Sequence, residues 1–154
     1  MTPDDYDEAY ALWSSCAGIG LRIEDDSRDG IDRFLMRNPT TCFVAEDDRR
    51  IIGTILAGND GRRGHIYHVA VASDRRREGV GRALTEEAWR ALQKEGVTKI
   101  ALLVHRGNSD GLSFWTEMGF SPREDIIYLN KECSETKGSM NGIDRLHSGP
   151  DPRT

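Results

Sequence analysis

The sequence predicts an α/β protein, a mixed sheet of antiparallel and parallel strands flanked by about four helices. Three observations predict it. The chain has 154 residues, which suits one domain with one core. Short β-forming runs separated by turn residues occupy the middle of the chain. An amphipathic helix then connects two apolar strands, and strands joined by such a crossover lie parallel in one sheet.

Two helices are predicted in the first 40 residues. The first begins at Thr2, a capping residue, and Pro3 suits the first helical position. It ends at Gly18. Its apolar face holds Tyr6, Tyr10 and Trp13. After a loop, the second helix is predicted over 27–37, before an Asn-Pro pair stops it.

An antiparallel meander of three strands follows. The strands are predicted over 42–46, 51–57 and 65–72, and charged or glycine-rich turns separate them. Gly53 lies inside the second strand, where a glycine indicates a bulge or the close approach of another element.

The last third of the chain alternates helices and strands. Helices are predicted over 79–95 and from Asn108, and strands over 99–104, 119–123 and 126–132. The strand over 99–104 is almost continuously apolar, so we expect it to be central and covered on both faces. The crossover helix makes it parallel to the strand over 65–72. We therefore expect a domain over 1–132.

The segment 133–154 is rich in glycine, serine, proline and charge, with little periodicity. By composition it is a flexible tail. If it is ordered it must dock, and a homodimer partner would offer a surface for it.

Composition excludes several classes of protein. No apolar run is long enough to span a bilayer, and no signal peptide is visible, so we expect no membrane role. The three cysteines, Cys16, Cys42 and Cys133, are widely spaced and form no CxxC pair, so we expect reduced thiols in the cytoplasm and no metal site. The net charge of −5 and the absence of aromatic residues beside the arginines argue against a nucleic-acid partner.

A basic, glycine-containing turn opens the helix over 79–95. Gly79 and Gly81 let a ligand approach the main chain closely, and the first amides of a helix have no internal partners. Phosphate is the expected ligand of such a helix start. The arginines Arg75, Arg76, Arg77 and Arg82 add local positive charge. The alternative is an ordinary glycine turn with solvated arginines. Neither the P-loop pattern nor the dinucleotide-binding glycine pattern is present.

Two blocks of sequence resemble the GNAT (Gcn5-related N-acetyltransferase) superfamily, and specifically its small stand-alone bacterial members. Arg76, Gly79 and Gly81 match the [RQ]-x-x-G-x-[GA] signature. The segment NSDGLSFWTEMGF over 108–120 matches a second family block, with glycine in place of its alanine and Trp115 in place of its tyrosine. The resemblance covers roughly residues 4–132.

The resemblance implies a GNAT fold, in which acetyl-CoA lies where two parallel strands splay apart. Family members have a strand before the first helix. That strand is short or missing here, which leaves open whether the true start lies upstream. The resemblance also implies that the two N-terminal helices and their loop overhang the acceptor site.

The resemblance further implies which residues bind the cosubstrate acetyl-CoA. The pantetheine arm would bond the main chain of one parallel strand, the diphosphate would bind the turn and the helix start, and two residues of the second block would reach the arm. The implied residues are Val69, Ala70, Val71, Arg76, Arg77, Gly79, Val80, Gly81, Arg82, Ala83, Asn108 and Trp115. A strand amide, from Val69 or Ala70, would meet the charge on the thioester oxygen.

Direct transfer of acetyl to a primary amine needs a base for the amine and an acid for the thiolate. Alternation places His65 and Tyr67 on one strand face, at positions that hold the base in several family members, and His68 on the other. His105 is a further candidate. Each of these histidines could instead be an ordinary surface residue.

Trp115 stands where the family usually has its tyrosine acid, and an indole cannot deliver a proton at neutral pH. Two functions therefore stay open: an N-acetyltransferase for a small-molecule or peptide amine, and a catalytically silent acyl-CoA-binding or regulatory module. Nine acidic residues within 1–32 would favour a cationic acceptor, although they also suit ordinary solubility.

Overall fold

The computed structural model describes residues 1–133. They fall into two compact units, the first Met1–Ser121 and the second beginning at Pro122. Apart from Cys133, the predicted tail over 133–154 lies outside the described residues, so its flexible or docked state stays a prediction.

The first unit contains all the helices and strands of the described residues. In chain order they are α1 (Tyr6–Ser15), α2 (Arg28–Arg37), β1 (Phe43–Asp47), β2 (Arg50–Ile55), β3 (Ala57–Asn59), β4 (Gly64–Ile66), β5 (Ala70–Val71), α3 (Val80–Lys94), β6 (Ile100–Leu102) and α4 (Ser109–Glu117). The four predicted helices are confirmed. Ser27 and Asn108 cap α2 and α4 through their side chains, and Gly96, with φ 82°, follows the end of α3.

The sheet is mixed, as predicted, but it is split into two three-stranded parts. Their strand orders are β1-β2-β5 and β3-β4-β6. All pairs are antiparallel except β4 with β6, which confirms the predicted parallel pair. The segment from β4 to β5 therefore pairs with β3 and then β2 along one edge, but pairs with β6 on the other edge only as far as Ile66, and this loss creates the candidate site.

The change of neighbours coincides with a bulge at Tyr67 and His68. Ile66 packs in the core against α3, whereas Ala70, four residues on, packs in the core against α1. Strict alternation would place both on one face. Tyr67 contacts Phe34 of α2, and His68 contacts Trp13 of α1, so two consecutive side chains face the same helical layer. The prediction that His68 faces away from Tyr67 is therefore wrong.

Gly53 has both of the features predicted for it. The pairing of β1 with β2 shifts register between Ala45, opposite Gly53, and Glu46, opposite Ile51, so the extra residue of the bulge is Ile52, next to Gly53. A Cβ on Gly53 would lie 2.8 Å from Val80 Cγ1 and 2.9 Å from Leu84 Cδ1. The bulge and the missing side chain together let α3 pack closely on the sheet.

The C-terminal strand predictions are wrong for the described residues. No strand occurs over 119–133, and Ile126, Ile127, Tyr128 and Leu129 are exposed. A β-forming run becomes a strand only when a neighbour pairs with it. For the same reason β6 pairs only with β4 within the described part of the chain, and Leu103 is 60% exposed, so the expectation of a fully covered central strand also fails.

Candidate functional site

The candidate site is an opening between two parallel strands. The β4–β6 register ends at Ile66 opposite Leu102. Beyond Ile66 the chain keeps its antiparallel partner on the other edge, through the Tyr67 amide to the Leu56 carbonyl and then β5 with β2, but no longer pairs with β6. We call the gap between 69–71 and 103–105 the strand opening. It lies where the predicted splay was expected.

Main-chain groups of β5 face the strand opening. The Ala72 amide donates to the Ile52 carbonyl, so the pair two residues back, Ala70 with Thr54, is also hydrogen-bonded. Val71, between Ala70 and Ala72, forms a pair with Gly53 that has no hydrogen bonds. Its N–H and C=O therefore point away from β2, toward the strand opening. The Val71 N–H can thus be offered to a ligand, and its carbonyl, which accepts from Arg76 Nε and Cys16 Sγ at long distances, lies beside it. The Ala70 peptide faces β2 and is occupied there.

The start of α3 presents free amides beside the opening. Gly79 is the N-cap, with φ 85° and no side-chain cap, and the Ala83 amide already donates to the Gly79 carbonyl at 2.9 Å. The four amides before Ala83, from Gly79 to Arg82, are those that a helix leaves unpaired. Arg77 also has a left-handed φ of 64°. Alternating left-handed residues of this kind aim successive amides into one concavity suited to an anion.

The four arginines of this turn do not act alike. Arg75 forms ion pairs with Asp47 and with Glu78 at 2.9 Å, and these carboxylates raise its guanidinium pKa further. Arg75 therefore braces the turn. Arg77 and Arg82 are exposed, and Arg76 donates through Nε to the Val71 carbonyl at 3.5 Å. These three keep the positive charge next to the free amides.

Helix α4 closes the other side of the helix start. A Cβ on Gly81 would lie 3.5 Å from both Phe114 Cζ and Val71 Cγ2, so Gly81 sits at the junction of α3, α4 and β5. Trp115 is partly buried in the core against α3, with its ring in edge contact with Phe114 and Phe120. In this position it acts as a packing residue.

The predicted bases His65 and Tyr67 lie together. Their ring centroids are 4.5 Å apart, and Tyr67 also meets the edge of Phe34, at 5.6 Å. Burial lowers the pKa of His65 below its usual 6.5, because desolvation disfavours the charged imidazolium. His65 is therefore neutral at pH 7 and able to accept a proton.

The third candidate base and the predicted pantetheine contact lie beside the α1–α2 loop. His105 Nε2 is 3.5 Å from the position that a Cβ on Gly20 would occupy, and Asn108 Nδ2 is 2.7 Å from the corresponding position on Gly18. Asn108 Oδ1 accepts the Gly111 amide. Both residues thus lie at the edge of the strand opening that follows β6.

Sequence reasoning missed one pair of residues. His68 Nε2 lies 2.5 Å from Asp26 Oδ1, and the two side chains are only 16% and 8% exposed. They are 42 positions apart, and the bulge that turns His68 toward Asp26 has no signal in the sequence. A polar residue in an apolar strand was the one available hint.

Among the described residues, none of the helices combines the length and apolar character that a bilayer crossing needs. Over the same residues, no group of three or more His, Cys, Asp or Glu side chains is placed to hold a metal ion.

Comparison with known proteins agrees with the geometry. The model of the Acetyltransferase (GNAT) family matches residues 6–120. Acetyltransferase SG1711 of Sodalis glossinidius is 31% identical over 132 residues, which cover 86% of this chain and 92% of the relative. Acetyltransferase ECA0875 of Pectobacterium atrosepticum is likewise 31% identical, over 87% of this chain and 93% of its own.

Solved structures show the same fold. The PaiA N-acetyltransferase of Thermoplasma acidophilum, solved in complex with coenzyme A, superposes with a TM-score of 0.69 at 20% identity, covering 82% of this chain and 89% of that one. Ard1 of Thermoplasma volcanium gives a TM-score of 0.70 at 20% identity over 79% of each chain. The split sheet, the uncapped start of α3 and these matches together show that the chain belongs to the GNAT family of acetyltransferases, which use acetyl-CoA.

Proposed function

We propose that this chain transfers the acetyl group of acetyl-CoA directly to a primary amine of a small molecule or peptide. The observation that carries the proposal is the meeting, at one opening, of the free amides of Gly79–Arg82 and the Val71 peptide groups. The amides and Arg77 and Arg82 suit a diphosphate. Val71 suits the amide groups of a pantetheine arm.

The residues of the strand opening fit such a ligand. Gly81 lies among the free α3 amides, at their junction with β5 and α4, so a phosphate bound at these amides would be next to the Val71 peptide groups. Val69 precedes the hydrogen-bonded Ala70, and we assign its amide, in preference to that of Ala70, to the thioester carbonyl oxygen. A fixed amide there stabilises the negative charge that develops during transfer. Asn108 lies at the opposite edge, within reach of the pantetheine arm.

His65 is our first choice of base. It is neutral at pH 7, and its ring lies 4.5 Å from that of Tyr67, which in turn contacts Phe34 of α2. Tyr67 can relay a proton from the amine to His65. His105, on the opposite side of the strand opening, is the alternative base. No tyrosine acid is needed at Trp115, because a thiol with a pKa near 8.5 leaves readily as a thiolate.

We propose that the acceptor is cationic. Fewer carboxylates are available to attract it than the count of acidic residues implies, because several of them bond other groups of the chain. Asp7 pairs with Arg28, Glu8 accepts the Ile51 amide, and Asp26 bonds His68. These carboxylates hold the fold together. Glu24 and Asp25 are exposed and directly precede Asp26; Asp25 pairs with Arg22, so Glu24 contributes the negative charge beside the bulge.

A second function has one observation in its favour. Trp115 replaces the usual tyrosine and packs into the core, which also suits a silent module that binds acyl-CoA without transfer. The two functions differ in whether free thiol is released in the presence of an amine.

The test is a thiol-release assay with acetyl-CoA and a panel of amines that includes a polyamine, an aminoglycoside and a peptide N-terminus. We expect release with at least one amine, and no release and no acetyl-CoA binding by the Gly81→Glu variant, whose side chain and charge enter the phosphate cradle. Gly81→Ala is the matched control, because its Cβ makes only ordinary contacts. Binding by the native chain without release for any amine would favour the silent module.

A further inference from the structure

We infer that the His68–Asp26 hydrogen bond positions the acceptor site by anchoring the α1–α2 loop, residues 16–27, across the strand opening. The inference rests on the proposed function, since it describes the wall against which the amine would bind. His68 and Asp26 are positioning residues here, and neither is assigned to the chemistry.

Asp26 organises the loop from within. Its Oδ1 bonds His68, while its Oδ2 accepts the Arg22 amide at 2.6 Å and its own amide donates to the Arg22 carbonyl at 2.8 Å. Its carbonyl accepts the Tyr6 hydroxyl at 2.9 Å. One carboxylate thus closes the 22–26 turn and attaches that turn to the bulge of the sheet.

The other part of the loop reaches the opposite wall. A Cβ on Gly18 would lie 2.7 Å from Asn108 Nδ2, so glycine leaves room there, and Gly20 lies in ordinary contact distance of His105. Near its start, Cys16 packs in the α1 core with its Sγ 4.0 Å from the Val71 carbonyl. The loop therefore touches both sides of the strand opening, and its path depends on where Asp26 is held.

A buried imidazole–carboxylate pair is a poor way to gain stability alone. Removing both groups from water is costly, and an apolar pair of similar size often stabilises as well or better. What the pair adds is a defined position of the loop relative to the bulge, since a hydrogen bond fixes two groups in one geometry. His68 directly precedes Val69, whose amide we assign to the thioester, so the same bond also fixes the bulge that orients that amide.

The alternative role for His68 is that of the base itself. In the neutral ring, Nε2–H donates to Asp26 and Nδ1 keeps its lone pair. The Trp13 ring lies 5.1 Å away, and the His68 side chain is 16% exposed. The two roles differ in what a hydrogen-bonding but non-basic replacement does.

The experiment compares His68→Ala, Asp26→Ala and His68→Gln with the native chain. A glutamine amide can still donate to Asp26 from nearly the position of Nε2, but it cannot take up a proton. Hydrogen–deuterium exchange reports the loop over 16–27 without any acceptor. Asp25→Ala is the control for exchange, because Asp25 is an exposed neighbour that pairs with Arg22 on the loop surface.

We expect the two alanine variants to exchange the 16–27 amides at least tenfold faster, and His68→Gln and Asp25→Ala to stay within threefold of native. With an amine that is acetylated, the alanine variants should raise the KM for that amine at least tenfold while the acetyl-CoA Kd changes less than threefold. His68→Gln should restore the KM.

Two results would overturn the inference. One is loop exchange in His68→Ala equal to that of the native chain. The other is a His68→Gln variant with a protected loop but a kcat as low as that of His68→Ala and no acid limb in its pH profile, which would make His68 the base. If no amine is acetylated, the proposed function fails, while the exchange data still decide whether this bond anchors the loop.

Discussion

At the scale of single residues, burial decides which side chains can do chemistry. His65 is half-buried and neutral at pH 7, whereas burial raises the pKa of the Cys42 thiol and keeps it unreactive. The sequence predicts His65, Tyr67 and His105, in that order, as candidate bases, but it does not show how strongly each is desolvated. Their desolvation depends on which neighbours exclude water, and those neighbours come from distant parts of the chain.

His65 should govern the acid side of the pH profile. Protonation removes the lone pair that a base needs, and burial lowers the pKa of His65. As the pH is lowered, kcat/KM should therefore fall, with a midpoint below pH 6.5. We expect His65→Ala to lower kcat at least tenfold while the acetyl-CoA Kd stays within threefold. Steady-state kinetics from pH 5 to 9 measure both. Unchanged kinetics would pass the role to Tyr67, His105 or solvent.

Thr54 is a buried residue whose contribution is to stability. Its hydroxyl accepts the Trp13 indole N–H at 2.7 Å, and both side chains are fully buried. Thr54→Val keeps the shape but leaves the indole without a partner, which should lower the free energy of unfolding by about 1–3 kcal/mol. Urea denaturation measures it. The exposed Thr116→Val is the matched control, and equal stability of the two variants would contradict the expectation.

At the scale of elements, the start of α3 shows what a local motif can predict. Arg76, Gly79 and Gly81 indicated a helix start with free amides, and the structure has one. Helix caps and glycine turns depend on neighbours in sequence, so they can be read locally. The different roles of the arginines could not be predicted from the local sequence, because Asp47, which pairs with Arg75, lies in β1.

The two glycines of this turn should respond differently to alanine. Gly79 has φ 85°, and no atom outside its chain neighbours lies within 4 Å of its missing Cβ, so Gly79→Ala should act through the backbone alone. A left-handed alanine costs about 1–2 kcal/mol, and the N–H groups at the start of α3 should no longer point into one concavity. We expect at least tenfold weaker acetyl-CoA binding by calorimetry. Gly81→Ala should bind within threefold of native. Equal affinities would show that the turn does not hold the diphosphate.

At the scale of the whole molecule, the split of the sheet is the central feature. The antiparallel meander, the parallel pair and the four helices could be predicted, because each follows from periodicity and crossover rules. The bulge at Tyr67 and His68 could not, since it lies where the β4–β5 segment loses β6 as a partner and shifts register against β2 and β3. The Asp26–His68 pair and the unpaired run over 126–129 escaped prediction for the same reason: partners decide them.

The most direct measurement is a crystal structure of the chain with coenzyme A. We expect the diphosphate within hydrogen-bond distance of the amides of Val80, Gly81 and Arg82, and the pantetheine arm between β5 and the residues after β6, bonded to the Val71 peptide. Coenzyme A bound elsewhere, or a strand opening filled by the chain's own side chains at saturating ligand, would contradict the proposed site.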